Sequence, residues 1–116
     1  MARSARGPRN LLEMIPERAR EWRLGEDGRV RVLVPRYGDT ALGRWIAARV
    51  GRPHISVRLD EIGGEVWRAC DGISTVGRIA DGLQQRFGDR VAPLHQRLAS
   101  FLRELERSRF IRWRTD

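Results

Sequence analysis

Apolar residues recur along this chain in two periods, and the change from one to the other marks the elements. Val30, Val32 and Val34 alternate with Arg29, Arg31 and Leu33, a period of two that predicts a strand with one covered face. Ala19 to Leu24 precedes it across Gly25-Glu26-Asp27-Gly28, a glycine and aspartate loop that joins the two segments as a β-hairpin. His54 to Asp60 alternates again, with Ile55, Val57 and Leu59 on one face and His54, Ser56 and Arg58 on the other, and is the clearest strand. Between Pro35 and Pro53, Leu42, Trp45, Ile46 and Val50 stand at helical spacing, so a short amphipathic helix is expected in an insert spanning 36–53.

After Asp60 the period turns helical. Asp60 can cap a helix with Ile62, Val66, Ala69 and Cys70 on one face, which Asp71-Gly72 ends. Ser74 or Thr75 opens a second helix, with Val76, Ile79, Ala80, Leu83 and Phe87 on its apolar stripe and Gly88 beyond its end. A third, roughly Ala92 to Arg107, carries Leu94, Leu98, Phe101, Leu102 and Leu105, and Phe110, Ile111 and Trp113 follow as a short extended tail. At the other end, Asn10 caps a short helical turn through Leu11, Leu12, Met14 and Ile15 that Pro16 limits. The expected class is α+β and winged helix-turn-helix-like: an N-terminal three-stranded antiparallel sheet followed by a three-helix bundle. Residues 1–18 are read as a basic disordered tail with a helical turn, and 19–116 as the domain.

At 116 residues, 41% hydrophobic and 33% charged, the chain suits a single domain with one modest core. The net charge of +8 would suggest a polyanionic partner, but all 23 basic residues are arginine, a bias that a GC-rich genome also produces. Arg3, Arg6 and Arg9 lie in the tail, and the rest carries an unremarkable +5. No apolar run reaches a membrane span and the N-terminus lacks a secretory signal, so a cytoplasmic protein without a membrane partner is expected. The lone Cys70 can form no internal disulfide, and His54 and His95 are far apart, so neither metal nor cofactor is expected.

No catalytic constellation stands out. Gly63-Gly64 lacks the rest of a phosphate loop and reads as close packing at a helix start. Cys70 falls on an apolar helix face and reads as a buried structural thiol; Trp22, Trp45, Trp67 and Trp113 read as core or rim. What remains is a binding module and not an enzyme.

The run Val57-Arg58-Leu59-Asp60-Glu61-Ile62-Gly63-Gly64-Glu65-Val66-Trp67-Arg68-Ala69-Cys70-Asp71-Gly72, then Ser74-Thr75-Val76-Gly77-Arg78-Ile79-Ala80 and Leu98-Ala99-Ser100-Phe101-Leu102-Arg103-Glu104-Leu105, is similar to the PqqD family over about residues 19 to 113. The resemblance implies a RiPP recognition element: a peptide chaperone domain that holds the leader of a ribosomally made precursor and presents it to a modifying enzyme, often a radical SAM protein. In such domains the leader is added to the third strand and lies against the third helix. The matching positions are His54, Ile55, Ser56, Val57, Arg58 and Leu59 on the strand and Leu94, Arg97, Leu98, Phe101 and Leu105 on the helix. Backbone groups of Ile55 to Leu59 are expected to set register, and Arg58 and Arg97 to meet leader acids. Leu98, Phe101 and Leu105 are core residues by periodicity first. The long insert, and Ser108-Arg109 where many relatives have glycine, favour a precursor other than that of pyrroloquinoline quinone.

Two other readings compete. A winged-helix DNA-binding protein would offer Gln96, Arg97, Ser100 and Arg103, but its wing would lie at the wrong end, and Glu104 and Glu106 would repel phosphates, so nucleic acid is not the expected partner. A docking adaptor would use the Trp45 insert to hold a larger enzyme. A monomer or a strand-mediated dimer are both compatible with an unpaired edge. Val57→Pro is expected to abolish leader binding with the fold retained, since proline removes a donor.

Overall fold

The computed structural model describes residues 10–51 and 54–114. The elements run β1 (Pro16–Arg18), β2 (Trp22–Leu24), β3 (Val30–Pro35), α1 (Ala41–Ala47), β4 (His54–Arg58), α2 (Glu61–Ala69), α3 (Val76–Phe87), α4 (Leu94–Arg107) and β5 (Ile111–Trp113), with 3-10 turns at Leu11–Glu13 and Gly88–Val91. They form two compact units, one of the described residues within 20–64 and one of those within 10–19 and 65–114. The disordered tail expected at the start of the chain falls on 1–9, outside the described residues.

The first unit is built on an antiparallel sheet in the order β2-β3-β4. Its hairpin closes through Gly25 N–H to the Arg29 carbonyl at 2.8 Å, with Gly28 at φ 78, a left-handed position that glycine takes without a Cβ clash. Val30 and Val32 are buried, as their alternation predicts. Gly64 lets α2 start close against this strand: a Cβ there would come within 3.2 Å of Val30 Cγ2. The Asp60 side chain caps that start, accepting from Gly63 N–H at 2.6 Å.

The helix expected in the insert exists as α1, capped by Thr40, whose hydroxyl accepts from Gly43 N–H at 3.0 Å. Two of its apolar positions do not turn inward, however, while Ile46 is half-buried. Leu42 is 67% and Trp45 56% exposed, and Gly43 is the buried residue of the helix. Because α1 falls between β3 and β4, the sheet is not completed before the first helix, and the expected order of a sheet followed by a bundle is corrected. A fourth α-helix is thereby added to the three of the bundle.

The second unit also holds a feature that hydrophobic alternation does not signal. β1 and β5 pair antiparallel, Pro16 opposite Trp113 and Arg18 opposite Ile111, so the tail residues Ile111 to Trp113 become a strand by finding a partner at the far end of the chain. Trp67, fully buried, stands edge-on to Phe110 at 6.3 Å. Val76, Ile79, Ala80, Leu83 and Phe87 of α3 and Leu98, Leu102 and Leu105 of α4 complete the core. Thr75, of the two cap candidates, caps α3 by accepting from Arg78 N–H at 3.2 Å.

The exit of α4 carries the one described non-glycine residue at positive φ, Arg109 at 63°. Its neighbour's N–H, Phe110, returns to the Leu105 carbonyl at 2.8 Å and closes the helix end. A side chain in this left-handed conformation costs free energy that glycine avoids. Arg109→Gly is therefore expected to stabilise the fold by about 0.5–1 kcal/mol, read as a higher urea midpoint with an unchanged slope.

Candidate functional site

β4 is an edge strand: its partner on one side is β3, and among the described residues no strand lies on the other. The phase of the ladder decides what that edge offers. Leu59 N–H donates to the Val30 carbonyl at 2.9 Å, in the same register that places Val57 opposite Val32 and Ile55 opposite Val34. Antiparallel pairs alternate between hydrogen-bonded and non-bonded, so Leu59, Val57 and Ile55 spend their backbone groups on β3. His54, Ser56 and Arg58 turn theirs outward, where no backbone partner meets them among the described residues. The backbone groups left open along this edge are thus those of alternate residues, not of the whole run from Ile55 to Leu59. This parity is invisible in a list of apolar positions because it depends on how the hairpin sets β3.

Side chains alternate with the same period. On the face shared with Val30 and Val32, burial falls along β4 from Leu59, buried, through Val57, half-buried, to Ile55, 44% exposed. An apolar strip therefore opens toward the start of the strand beside the free backbone groups.

The other face carries arginines in a row. Arg23 pairs with Arg31 and Arg31 with Arg58, so three guanidinium-bearing residues lie side by side across the sheet. Like charges directly opposite destabilise a sheet, and Asp27 of the hairpin loop answers two of them. Its carboxylate accepts from Arg58 Nε at 2.9 Å and from Arg31 at 3.2 Å, and also from Arg29 N–H at 3.0 Å. The Arg29 backbone bond first, and then Arg58, hold the carboxyl down to about 2 from an ordinary 3.8.

The α4 residues named from the sequence divide by burial. Leu98 and Leu105 are buried in their own unit, and Leu94 and Phe101 are half-buried. Arg97 is exposed and donates to the Arg90 carbonyl at 2.8 Å. Gln96, Arg97, Ser100, Phe101 and Glu104 line one shallow depression along α4, which joins Arg97 and Phe101 to three polar residues the apolar stripe does not point to.

Elsewhere the chemistry is quiet. Burial pushes the Cys70 thiol up to about 12, which leaves it without nucleophilic character at neutral pH. Among the described residues no cluster of His, Cys, Asp and Glu could hold a metal ion, and no helix is long and apolar enough to cross a membrane. Trp45, at the surface of α1, is stacked on one face by the Arg49 guanidinium at 4.0 Å.

The model of the family described as coenzyme PQQ synthesis protein D (PqqD) matches residues 49–111, more than half the chain. The chain belongs to the PqqD family. PqqD proteins are non-catalytic accessories that bind a peptide and work with a biosynthetic enzyme. The match runs from just before β4 into β5, a shorter span than the resemblance over 19 to 113, and leaves β2, β3 and α1 outside it. Nothing among the curated proteins or the solved structures matches the chain.

The Asp27 clamp has a pH signature. A carboxyl held below its unfolded value contributes stability that is present above about 3.8 and disappears as the pH falls through about 2. Asp27→Asn is expected to lower the urea midpoint at pH 7, and the gap between variant and wild type should narrow steeply between pH 4 and pH 2. A gap undiminished at pH 2 would show that the loop acts without its charge.

Proposed function

We propose that this PqqD-family protein holds the leader of a ribosomally synthesised precursor peptide as an added strand on β4 and presents it, in the cytoplasm, to a peptide-modifying enzyme such as a radical SAM protein. The observation that carries this reading is the open edge, where His54, Ser56 and Arg58 present unpaired backbone groups beside the exposed Ile55. Such an edge templates an extended peptide through main-chain hydrogen bonds, and pockets or charges beside it select the side chains. The helix positions Leu94, Arg97, Leu98, Phe101 and Leu105 enter through the family resemblance. Of these, Arg97 and Phe101 are the two that share the open depression on α4.

A precursor other than that of pyrroloquinoline quinone is the better substrate. The α1 insert supports this, as does Arg109, which occupies with a long side chain a left-handed position suited to glycine.

The ladder phase moves the decisive substitution. Val57 N–H belongs to the pairing with β3, so Val57→Pro damages the sheet itself, whereas Ser56→Pro removes a donor that faces outward. Copurification from the native host with mass spectrometry identifies the precursor, and calorimetric titration then compares variants. Ser56→Pro is expected to weaken leader binding at least tenfold with circular dichroism unchanged, and Ser56→Ala to bind as wild type. Unchanged binding by Ser56→Pro, or specific salt-sensitive DNA binding with no peptide recovered, would overturn the reading.

A further inference from the structure

The register of the sheet specifies more than an edge; it specifies what an added strand must carry. A residue paired with Arg58 across the open edge lies on the arginine face, because directly opposed residues project to the same side. That residue would extend the row Arg23, Arg31, Arg58 by one place. The row is short of negative charge at this end. Asp27 is the carboxylate that meets both Arg31 and Arg58; Glu21 stands at the far edge of the sheet, where its carbonyl accepts from Leu33 N–H. Asp27 engages Arg58 by a hydrogen bond from Nε, and among the described residues the two terminal nitrogens of Arg58 make no hydrogen bond. A guanidinium held by one side in this way presents its remaining N–H groups in a fixed direction.

The next places along the edge have a different demand. Positions opposite Val57 and Ile55 fall on the apolar face, where Val57 is half-buried and Ile55 exposed. The position between them, opposite Ser56, returns to the polar face and meets only a small side chain. Both existing pairings of this sheet are antiparallel, the arrangement with the better hydrogen-bond geometry. A strand added in that sense runs opposite to β4 and meets Arg58 first.

We infer that the β4 edge selects an extended peptide whose sequence, read from its N-terminus, is an acidic residue, an apolar residue, any residue and a second apolar residue, the acid pairing with Arg58 and the apolar side chains covering Val57 and Ile55. This rests on the strand-addition reading and assigns its specificity. Arg58 is the residue that tells a cognate leader from another extended apolar peptide. Charge discriminates here because an unpaired fourth place would leave the arginine row uncompensated, and a basic residue there would add to it.

The test is display selection of random twelve-residue peptides on the full chain, with counter-selection on Ser56→Pro, followed by fluorescence anisotropy of an enriched peptide. Clones lost on Ser56→Pro should be enriched in the acid-apolar-any-apolar order. For such a peptide, replacing Glu by Gln is expected to weaken binding about threefold or more at 50 mM salt, and the difference should vanish on Arg58→Gln and shrink at 1 M salt. Ser56→Pro-sensitive clones with no acid preference, or with the acid after the apolar pair, would overturn this assignment and leave strand addition standing. Selection that yields no Ser56→Pro-sensitive clones would overturn strand addition and the assignment with it.

Discussion

The parity of β3 is the constraint on which the sheet depends. Its odd residues bond toward β2, as Leu33 N–H to the Glu21 carbonyl at 2.8 Å and the Arg29 carbonyl to Gly25 N–H at 2.8 Å show. Its even residues bond toward β4, through the Val30 carbonyl to Leu59 N–H at 2.9 Å. Because side chains follow the same period, the residues that bond β4 are also the ones whose side chains are buried, Val30 and Val32. Burial of these two valines therefore locks the register, and a slip of one residue would expose them both. With β3 held on both sides, β4 has its alternate residues committed inward and the others left facing out.

The same parity creates the charge problem that the loop resolves. Placing valines inward places Arg31 outward, and the register then sets Arg23 and Arg58 on either side of it. Asp27 sits in the loop because the hairpin needs a turn there, and its carboxylate falls within reach of both Arg31 and Arg58. Turn chemistry and charge compensation are thus met by one residue. The family match contains β4 but not β3 or this loop, so the strand that offers the edge is shared with the family while its phase and its counter-ion come from outside the matched segment.

Local periodicity explains which parts of the molecule were legible. The hairpin, β4, α2, α3 and α4 each carry enough apolar residues at one spacing to declare themselves, and the caps Asp60 and Thr75 mark their starts. β1 and β5 are three residues each and pair across nearly the whole chain, so no local signal could announce their pairing. α1 was legible as a helix but not in its orientation, since a stripe of Leu42, Trp45, Ile46 and Val50 says that one side is apolar and not how much of it is covered. On the candidate site, the strand was readable and the outward set was not. Arg58 could be named, but its engagement with Asp27, 31 residues away, is a tertiary fact.

An open edge must accept one strand and refuse others, and the side chains of β4 bear on that choice. A second copy pairing antiparallel about Ser56 would set Arg58 opposite His54 of the other chain, twice over, and bring no carboxylate to either arginine. It would also set Ile55 opposite Val57, an apolar match, so the backbone and one face favour self-pairing while the other face does not. An acidic peptide strand keeps the backbone bonds and the apolar contacts and reverses the sign of the charge contact. On the proposed reading, discrimination between leader and second copy is a difference in one interaction, the one at Arg58, and its size is set by how fully Asp27 has already satisfied that guanidinium. A clamp that held Arg58 through all its donors would leave the edge unselective; one that holds Nε alone leaves the rest of the group to choose.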